Sequence, residues 1–512
     1  MNKLSLELHD LIVQFVGRRI GEESLPHWKH DTLPCALPAI AAVSRSFQQA
    51  VERLTFRNLK VSTSPSDLDV FRRTLTLRRQ RNLQHLTVHL WVDHPLPSTT
   101  PGTDHPRKFA TGEEWRAINE TTTTQLREFF NILAAWGLSR PSLTLHITGP
   151  LLSSEPNDAW EEVYFRFSML DVSSDLVDFQ PLPMVKELYV YSKSYHLHPH
   201  LAVSLTAKMP NVSGVHWDLS PWHATSWDLY HFMSRIWRDS LVQSIESTTL
   251  PPSIKRFRFK MFVPGTNRFQ ILPDFIGSSS SDPVSSALRK LTKDCTEVYI
   301  AGSIHSSLFD SLAVPGTAPH EAAPAWEKVT RLEVKASMYG PDGKWLFKPD
   351  PDDDMTPETL PEYLDFDRLP PGYGTTESEL DEAEEYYDAY LEDIKPERME
   401  GIEDIESLRK PDDGLLNALL TAFARRCRNM PALLNATFEF EIFNTDIWPF
   451  QVSYLAAGKA SLSEWDDEFA DDCEISRVNF DVGNWRPAEE TLEEFRRIGR
   501  ERDGCDAVVY FF

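Results

Sequence analysis

The chain has 512 residues with 41% hydrophobic content, enough for a large core or more than one domain. Its net charge of -25 argues against a general affinity for nucleic acid or anionic membrane. No stretch is long and apolar enough to span a bilayer, and the N-terminus lacks the basic start and apolar core of a secretory signal. Cys35, Cys295, Cys427, Cys473 and Cys505 are odd in number and far apart, which gives neither a disulfide framework nor a zinc-ligand spacing. Reduced thiols in the cytosol or nucleus are therefore expected. In that setting the glycosylation-type triplets at Asn119, Asn211 and Asn435 are chance matches.

The first predicted element is a helix whose stripe is Leu4, Leu8, Leu11, Ile12 and Phe15. Ser5 can cap it, Glu7 suits its positive end, and Gly17 marks its stop. After a polar gap, Pro38 opens a second helix with the stripe Ile40, Val43, Phe47, Ala50, Val51 and Leu54. Two helices this short cannot cover both apolar faces by packing on each other. Some of that surface must meet the rest of the chain or a partner; a plain helical cap is the alternative. Ser66 and Asp67 start a third helix with Leu68, Phe71 and Leu75 inward and Arg78, Arg79 and Arg81 at its end.

From there a unit recurs: an amphipathic helix, a short polar or proline-bearing turn, then a short alternating strand. A strand is marked by Leu83, Leu86 and Val88. A helix at 124–136 precedes a strand at 142–148, and a strand follows at 185–191. Then come a helix at 201–208 with a strand at 212–219, and an imperfect strand at 253–262. A helix at 284–291 leads to a strand at 297–301, and another strand spans 329–334. A helix at 415–428 precedes a strand at 434–442. The Met209-Pro210 and Met430-Pro431 turns each close a helix and precede a strand. Each helix–strand pair has one apolar face and needs a neighbour to cover it, the logic of a solenoid. A textual leucine-rich-repeat consensus is absent, so an ordinary mixed-sheet α/β domain is the competing architecture.

Leu4-Ser5-Leu6-Glu7-Leu8, with Ile12 one turn on, resembles the opening of an F-box, and Ala42-Val43-Ser44-Arg45-Ser46-Phe47 resembles its second half. Ser5 stands where that family usually has proline, and Phe47 where tryptophan is common. The chain is similar to a group of filamentous-fungal F-box proteins with a long C-terminal part. Residues 51–57, Asn484-Trp485-Arg486-Pro487 and Gly499-Arg500-Glu501-Arg502 also carry that likeness. The resemblance implies that Leu4, Leu8, Ile12, Val43 and Phe47 bind a Skp-family adaptor.

Residues 349–413 break the repeat. They hold 24 Asp and Glu against 5 Lys and Arg, a balance of -19 that leaves only -6 to the rest of the chain. The proline- and aspartate-rich first part, up to Gly374, is expected to be mobile. Leu380, Ala383, Tyr387, Tyr390, Leu391 and Ile394 recur at helical spacing and predict an acidic helix with a narrow apolar seam. A solvated insertion and a docking element for basic groups both fit.

No nucleophile elbow, phosphate loop or dinucleotide fingerprint is present. His305, Ser307 and Asp310 are close in sequence, but triad partners meet in space. His196, His198 and His200 alternate around Pro199 and read as a polar loop rather than metal ligands. Trp217, Trp222 and Trp227 mark either core or an interface.

The expected fold class is α/β: an F-box-like helical region (1–61) and an irregular leucine-rich-repeat-like body (62–348). An acidic helical insertion (349–413) and a C-terminal part of the body (414–512) follow. The expected function is substrate recognition for a cullin–RING (SCF-type) ubiquitin ligase, through the Skp-family adaptor and an unidentified target protein. No catalysis, cofactor, metal, nucleic acid or membrane is expected. The alternatives are an F-box-bearing scaffold without ubiquitin transfer and an unrecognised hydrolase.

Overall fold

A short strand that alternates apolar and polar residues buries one face and wets the other, and a parallel neighbour must be reached by a crossover. The structure, a computed structural model, follows that rule along most of the chain. It describes residues 8, 11–13, 36–92, 112–137, 142–149, 169–172, 178–192, 196–219, 227–261, 274–279, 281–309, 326–349, 408–440, 450–459 and 474–512.

Within these residues the fold is mixed α/β, built on a 12-stranded, mostly parallel sheet. The N-terminal half contributes α1 (Ala36–Ala41), α2 (Arg45–Thr55), β1 (Asn58–Ser62), α3 (Pro65–Thr74), α4 (Leu77–Gln80), β2 (His85–His89), α5 (Gly112–Ala134) and β3 (Leu143–Thr148). Next come β4 (Met169–Leu170), β5 (Val185–Tyr191), β6 (His196–Leu197), α6 (Pro199–Ala207), β7 (Gly214–Asp218), α7 (Trp227–Ser247), β8 (Arg256–Met261), α8 (Pro283–Leu291), β9 (Glu297–Gly302) and β10 (Arg331–Ala336). The remainder is β11 (Phe347–Pro349), β12 (Leu408–Pro411), α9 (Asp413–Arg428), β13 (Asn435–Phe440), β14 (Gln451–Leu455), β15 (Arg477–Asp481), α10 (Glu489–Asp503) and β16 (Val508–Phe511).

Strand order in the large sheet is β1-β2-β3-β5-β7-β8-β9-β10-β13-β14-β15-β16, so order in space follows order in sequence. Every pairing is parallel except β13–β14 and β14–β15. One register row runs Leu86, Leu145, Leu188, Val215, Phe257, Val298, Leu332 and Ala436, each essentially buried. It packs in one core with helix residues such as Phe129, Leu205, Leu288 and Phe423. The helices therefore cover this face. Two buried tryptophans are satisfied by helix-end hydroxyls: Trp217 Nε1 donates to Thr206 Oγ1 (3.2 Å) and Trp326 Nε1 to Thr292 Oγ1 (2.8 Å). Trp217 is thus core, not interface; Trp222 and the Trp227 side chain lie outside the described residues.

The helix-to-strand turns repeat. Val212 N–H donates to Met209 O (3.0 Å) and Leu433 N–H to Met430 O (3.1 Å), so the two Met-Pro turns are equivalent. Cys295 with Thr292 and Val329 with Trp326 close the same way. The residue after each turn then ties to the previous unit. Thr296 and Glu297 N–H both donate to Lys255 O, Thr330 and Arg331 N–H to Thr296 O, and Leu434 and Asn435 N–H to Thr330 O. One carbonyl accepting two donors from the next unit fixes the register of β9, β10 and β13.

Several expectations need correction. The helix read from Pro38 to Leu54 is two helices, because Ser44 is an N-cap: its hydroxyl accepts from Phe47 N–H (3.3 Å) and Val43 sits in the turn before it. The third helix starts at Pro65, one residue ahead of Ser66, with Ser64 as its cap, and Arg78 and Arg79 belong to the separate turn α4. The boundary at 61/62 cuts β1, which pairs with β2 and belongs to the body. Pro199 does not sit in a loop but opens α6, with His198 as its N-cap residue. The strands at 451–455, 477–481 and 508–511 and the helices at 227–247 and 489–503 were not expected. The insertion is closed at its base by an antiparallel β11–β12 ribbon. Its expected acidic helix lies outside the described residues.

Candidate functional site

Two surfaces stand out, one at the N-terminal end and one on the face of the sheet that the described helices leave open. At the N-terminal end, Val13, Leu37, Phe47, Ala50 and Val51 form a small core separate from the large one. The same helical segments leave Leu8 (45% exposed), Leu11 (59%), Ile12 (39%) and Val43 (55%) in solvent. Of the five expected adaptor contacts, Leu8, Ile12 and Val43 are therefore exposed, and Phe47 is buried within the small core. Leu4 lies outside the described residues.

This region is tied to the body through Glu52, which is buried although charged. Its carboxylate pairs with Arg78 and with Arg79 (3.2 Å) on α4. The Arg79 guanidinium also lies 4.6 Å from the Phe56 ring centre, and Arg57 Nε donates to Gln84 Oε1 (2.8 Å).

The second surface is made by the polar letters of the alternating strands. Parallel strands about 4.8 Å apart bring in-register side chains into stacking distance. The central row of the open face reads His146, Tyr189, His216, Arg258 and Tyr299 on β3, β5, β7, β8 and β9. His146 stacks on Tyr189 with ring centres 4.3 Å apart and planes 6° apart; Tyr189 stacks on His216 at 4.0 Å and 7°. The exposed Arg258 guanidinium lies 4.1 Å from the Tyr299 ring centre. Burial in the stack, with His85 and His216 nearby, pushes His146 down to about 4, so the ring is neutral at pH 7.

One row nearer the strand starts, Glu187, Gly214 and Arg256 share a register. A Cβ on Gly214 would stand 1.8 Å from Glu187 Oε2, so the glycine leaves room for the carboxylate to cross β7 and pair with Arg256. Burial alone would raise the Glu187 pKa. His216 and Arg256 outweigh it and hold the carboxyl below its usual range.

The residue sets singled out for chemistry do not assemble. Ser307 N–H donates to His305 Nδ1 (3.1 Å), and Ser307 Oγ lies 2.9 Å from the same nitrogen while accepting from Asp282 N–H (3.1 Å). Ser307 is 3% exposed, so this pair closes a buried turn and presents no nucleophile. The Asp282 carboxylate caps α8 through Val284 and Ser285 N–H and pairs with buried Arg238 (2.5 Å). Asp310 lies outside the described residues. His198 is pushed below its usual range by burial and lies 3.3 Å from Ser240 Oγ; His200 lies beside Ser204 Oγ (3.0 Å). Among the described residues no three His, Cys, Asp or Glu side chains are placed to hold a metal ion. Burial pushes the Cys295 and Cys427 thiols up to about 12, which makes them poor nucleophiles and ligands. Among the described residues no helix is long and apolar enough to cross a membrane.

No protein-family model matches the chain, and no curated protein matches its sequence. A solenoid places its target surface on the side away from the helices, but none of the residues of this open face stands out in the sequence. Its signal was the outward letters of each strand, which acquire meaning only once strand order is known.

Proposed function

We propose that this chain is a substrate-recognition subunit of a cullin–RING ubiquitin ligase. Its N-terminal helices dock a Skp-family adaptor, and the open face of the sheet holds a target protein. One observation carries the reading: a small helical unit with its own core leaves Leu8, Leu11, Ile12 and Val43 in water. Apolar side chains left exposed around a small helical core, at one end of a well-packed body, are a mark of a protein interface. Phe47 then supports the stripe from beneath. The body reads as an irregular leucine-rich-repeat-like solenoid, supported by strands that stack in sequence order, with the β13–β15 antiparallel step as its departure.

In this reading the chain catalyses nothing itself. It raises the effective concentration of target lysines near the charged conjugating enzyme. The test is co-purification with a Skp-family adaptor, wild type against Leu8→Asp and Ile12→Asp. A carboxylate forced unpaired into the contact should weaken binding by several kcal/mol. Equal adaptor capture by a variant with an unchanged unfolding curve removes the assignment. Capture without cullin-dependent turnover of a bound partner leaves the scaffold alternative.

A further inference from the structure

We infer that the open face centred on Arg258 docks an extended peptide segment of a partner protein that presents one carboxylate near an aromatic side chain. The inference rests on reading that face as the target surface and names what it recognises.

Strand β8 alternates Arg256, Arg258 and Lys260 with Phe257, Phe259 and Met261; the phenylalanines and the methionine go to the core, so all three cations share the open face. Arg256 is neutralised by Glu187. Arg258 is not: among the described residues no carboxylate lies within ion-pair distance of it, and its in-register neighbours are His216 and Tyr299. A guanidinium has five N–H donors, and one ring or hydroxyl cannot use them all. An exposed cation already seated on an aromatic face has little freedom still to lose, which favours capture of a planar carboxylate.

Beside it the stacked rings of His146, Tyr189 and His216 present a ridge of three ring edges across three strands, against which an aromatic face can pack edge-to-face. From β8 to β3 is three strand spacings, roughly 14 Å, and about four residues of extended chain cover that span. An aromatic side chain three or four residues from the carboxylate would therefore lie on the stack.

The charges around Arg258 choose between partner classes. Glu187, Asp218, Glu297 and Glu333 occupy the same face of neighbouring strands. A nucleic acid needs a continuous cationic track, and these carboxylates interrupt it. A single carboxylate among uncharged residues needs only Arg258.

The experiment pans a random 12-residue displayed peptide library on the full chain. Enriched peptides are expected to hold one Asp or Glu with an aromatic residue three or four positions away. Synthetic versions should bind Arg258→Gln at least tenfold more weakly, and a Glu→Gln change in the peptide should have the same effect. Arg258→Glu should enrich peptides with a basic residue instead. No enrichment, enrichment without acidic residues, equal binding by Arg258→Gln, or tighter binding of a 12-nucleotide single strand each overturns the inference. Adaptor co-purification is read in parallel on the same proteins. Its failure sinks the ligase reading and leaves the peptide result standing.

Discussion

Glu52→Gln should loosen the N-terminal helices from the body without loosening the body. Glu52 is 5% exposed, and its carboxylate meets Arg78 and Arg79 while also accepting from Gln48 Nε2 (3.3 Å). Removing one partner of a buried pair typically costs about 3–5 kcal/mol. Here the discount is large, because the Arg78 side chain is 51% exposed and Arg79 30%, so both guanidiniums can rehydrate. Arg79 also keeps Thr74 O (3.0 Å) and the Phe56 ring. About 1.5 kcal/mol is the expected loss, close to a tenfold rise in opening. The assay is native-state hydrogen exchange, which separates local from global opening. Amides of α2 should exchange about tenfold faster, and those of β10 at an unchanged rate. Unchanged exchange in α2, or an equal rise in both, would refute the idea that this ion cluster holds one unit on the other.

Leu332→Ala removes a fully buried side chain between Val298 and Ala436 and should cost about 2–5 kcal/mol, seen as a lower urea midpoint; an unchanged midpoint would contradict the packing. Gly214→Ala should displace Glu187 from Arg256, so that a further Arg256→Gln change no longer alters stability; a remaining coupling between the two arginine–glutamate positions would contradict the geometry. His146→Phe keeps a ring against Tyr189 and tests the sign of a pH effect. Between the ordinary 6.5 and about 4 the unfolded chain binds a proton that the folded one refuses, so wild-type stability should fall as pH drops through that window. The ring is half-buried and partly screened by water, so the loss should be about 1 kcal/mol and absent in the variant; parallel pH curves would count against it.

Where local chemistry decides structure, the sequence was legible. The strand 185–191 is legible to the residue, because Leu188 and Val190 alternate with Glu187, Tyr189 and Tyr191 and go inward, while Val185 joins them across a register shift. The repeated turns were visible in Met209-Pro210 and Met430-Pro431. Ser44 was misread because the stripe from Ile40 to Leu54 runs through it, and a serine in such a stripe looks like a helical residue rather than a cap. The C-terminal strands escaped for another reason. β14 follows β13 as an antiparallel return with no helix between them, so the helix–strand rhythm that located the others gives no signal there.

The residues of the open face escape because they are far apart in sequence and ordinary one by one. His146, Tyr189, His216, Arg258 and Tyr299 are each the polar letter of an alternating strand, the residue normally assigned to solvent and passed over. They become a surface through two facts together. The first is strand order, which the solenoid expectation supplied. The second is register, which the turns set when one carbonyl, such as Lys255 O, accepts the N–H groups of both Thr296 and Glu297. With register fixed, parity alone places Arg258 beside Tyr299 and Tyr189 beside His216. In a parallel sheet covered on one side, then, the outward letters of consecutive strands can be written side by side and read as a row. Such a row, with one cation that no carboxylate among the described residues neutralises, is where a partner should be sought in this chain.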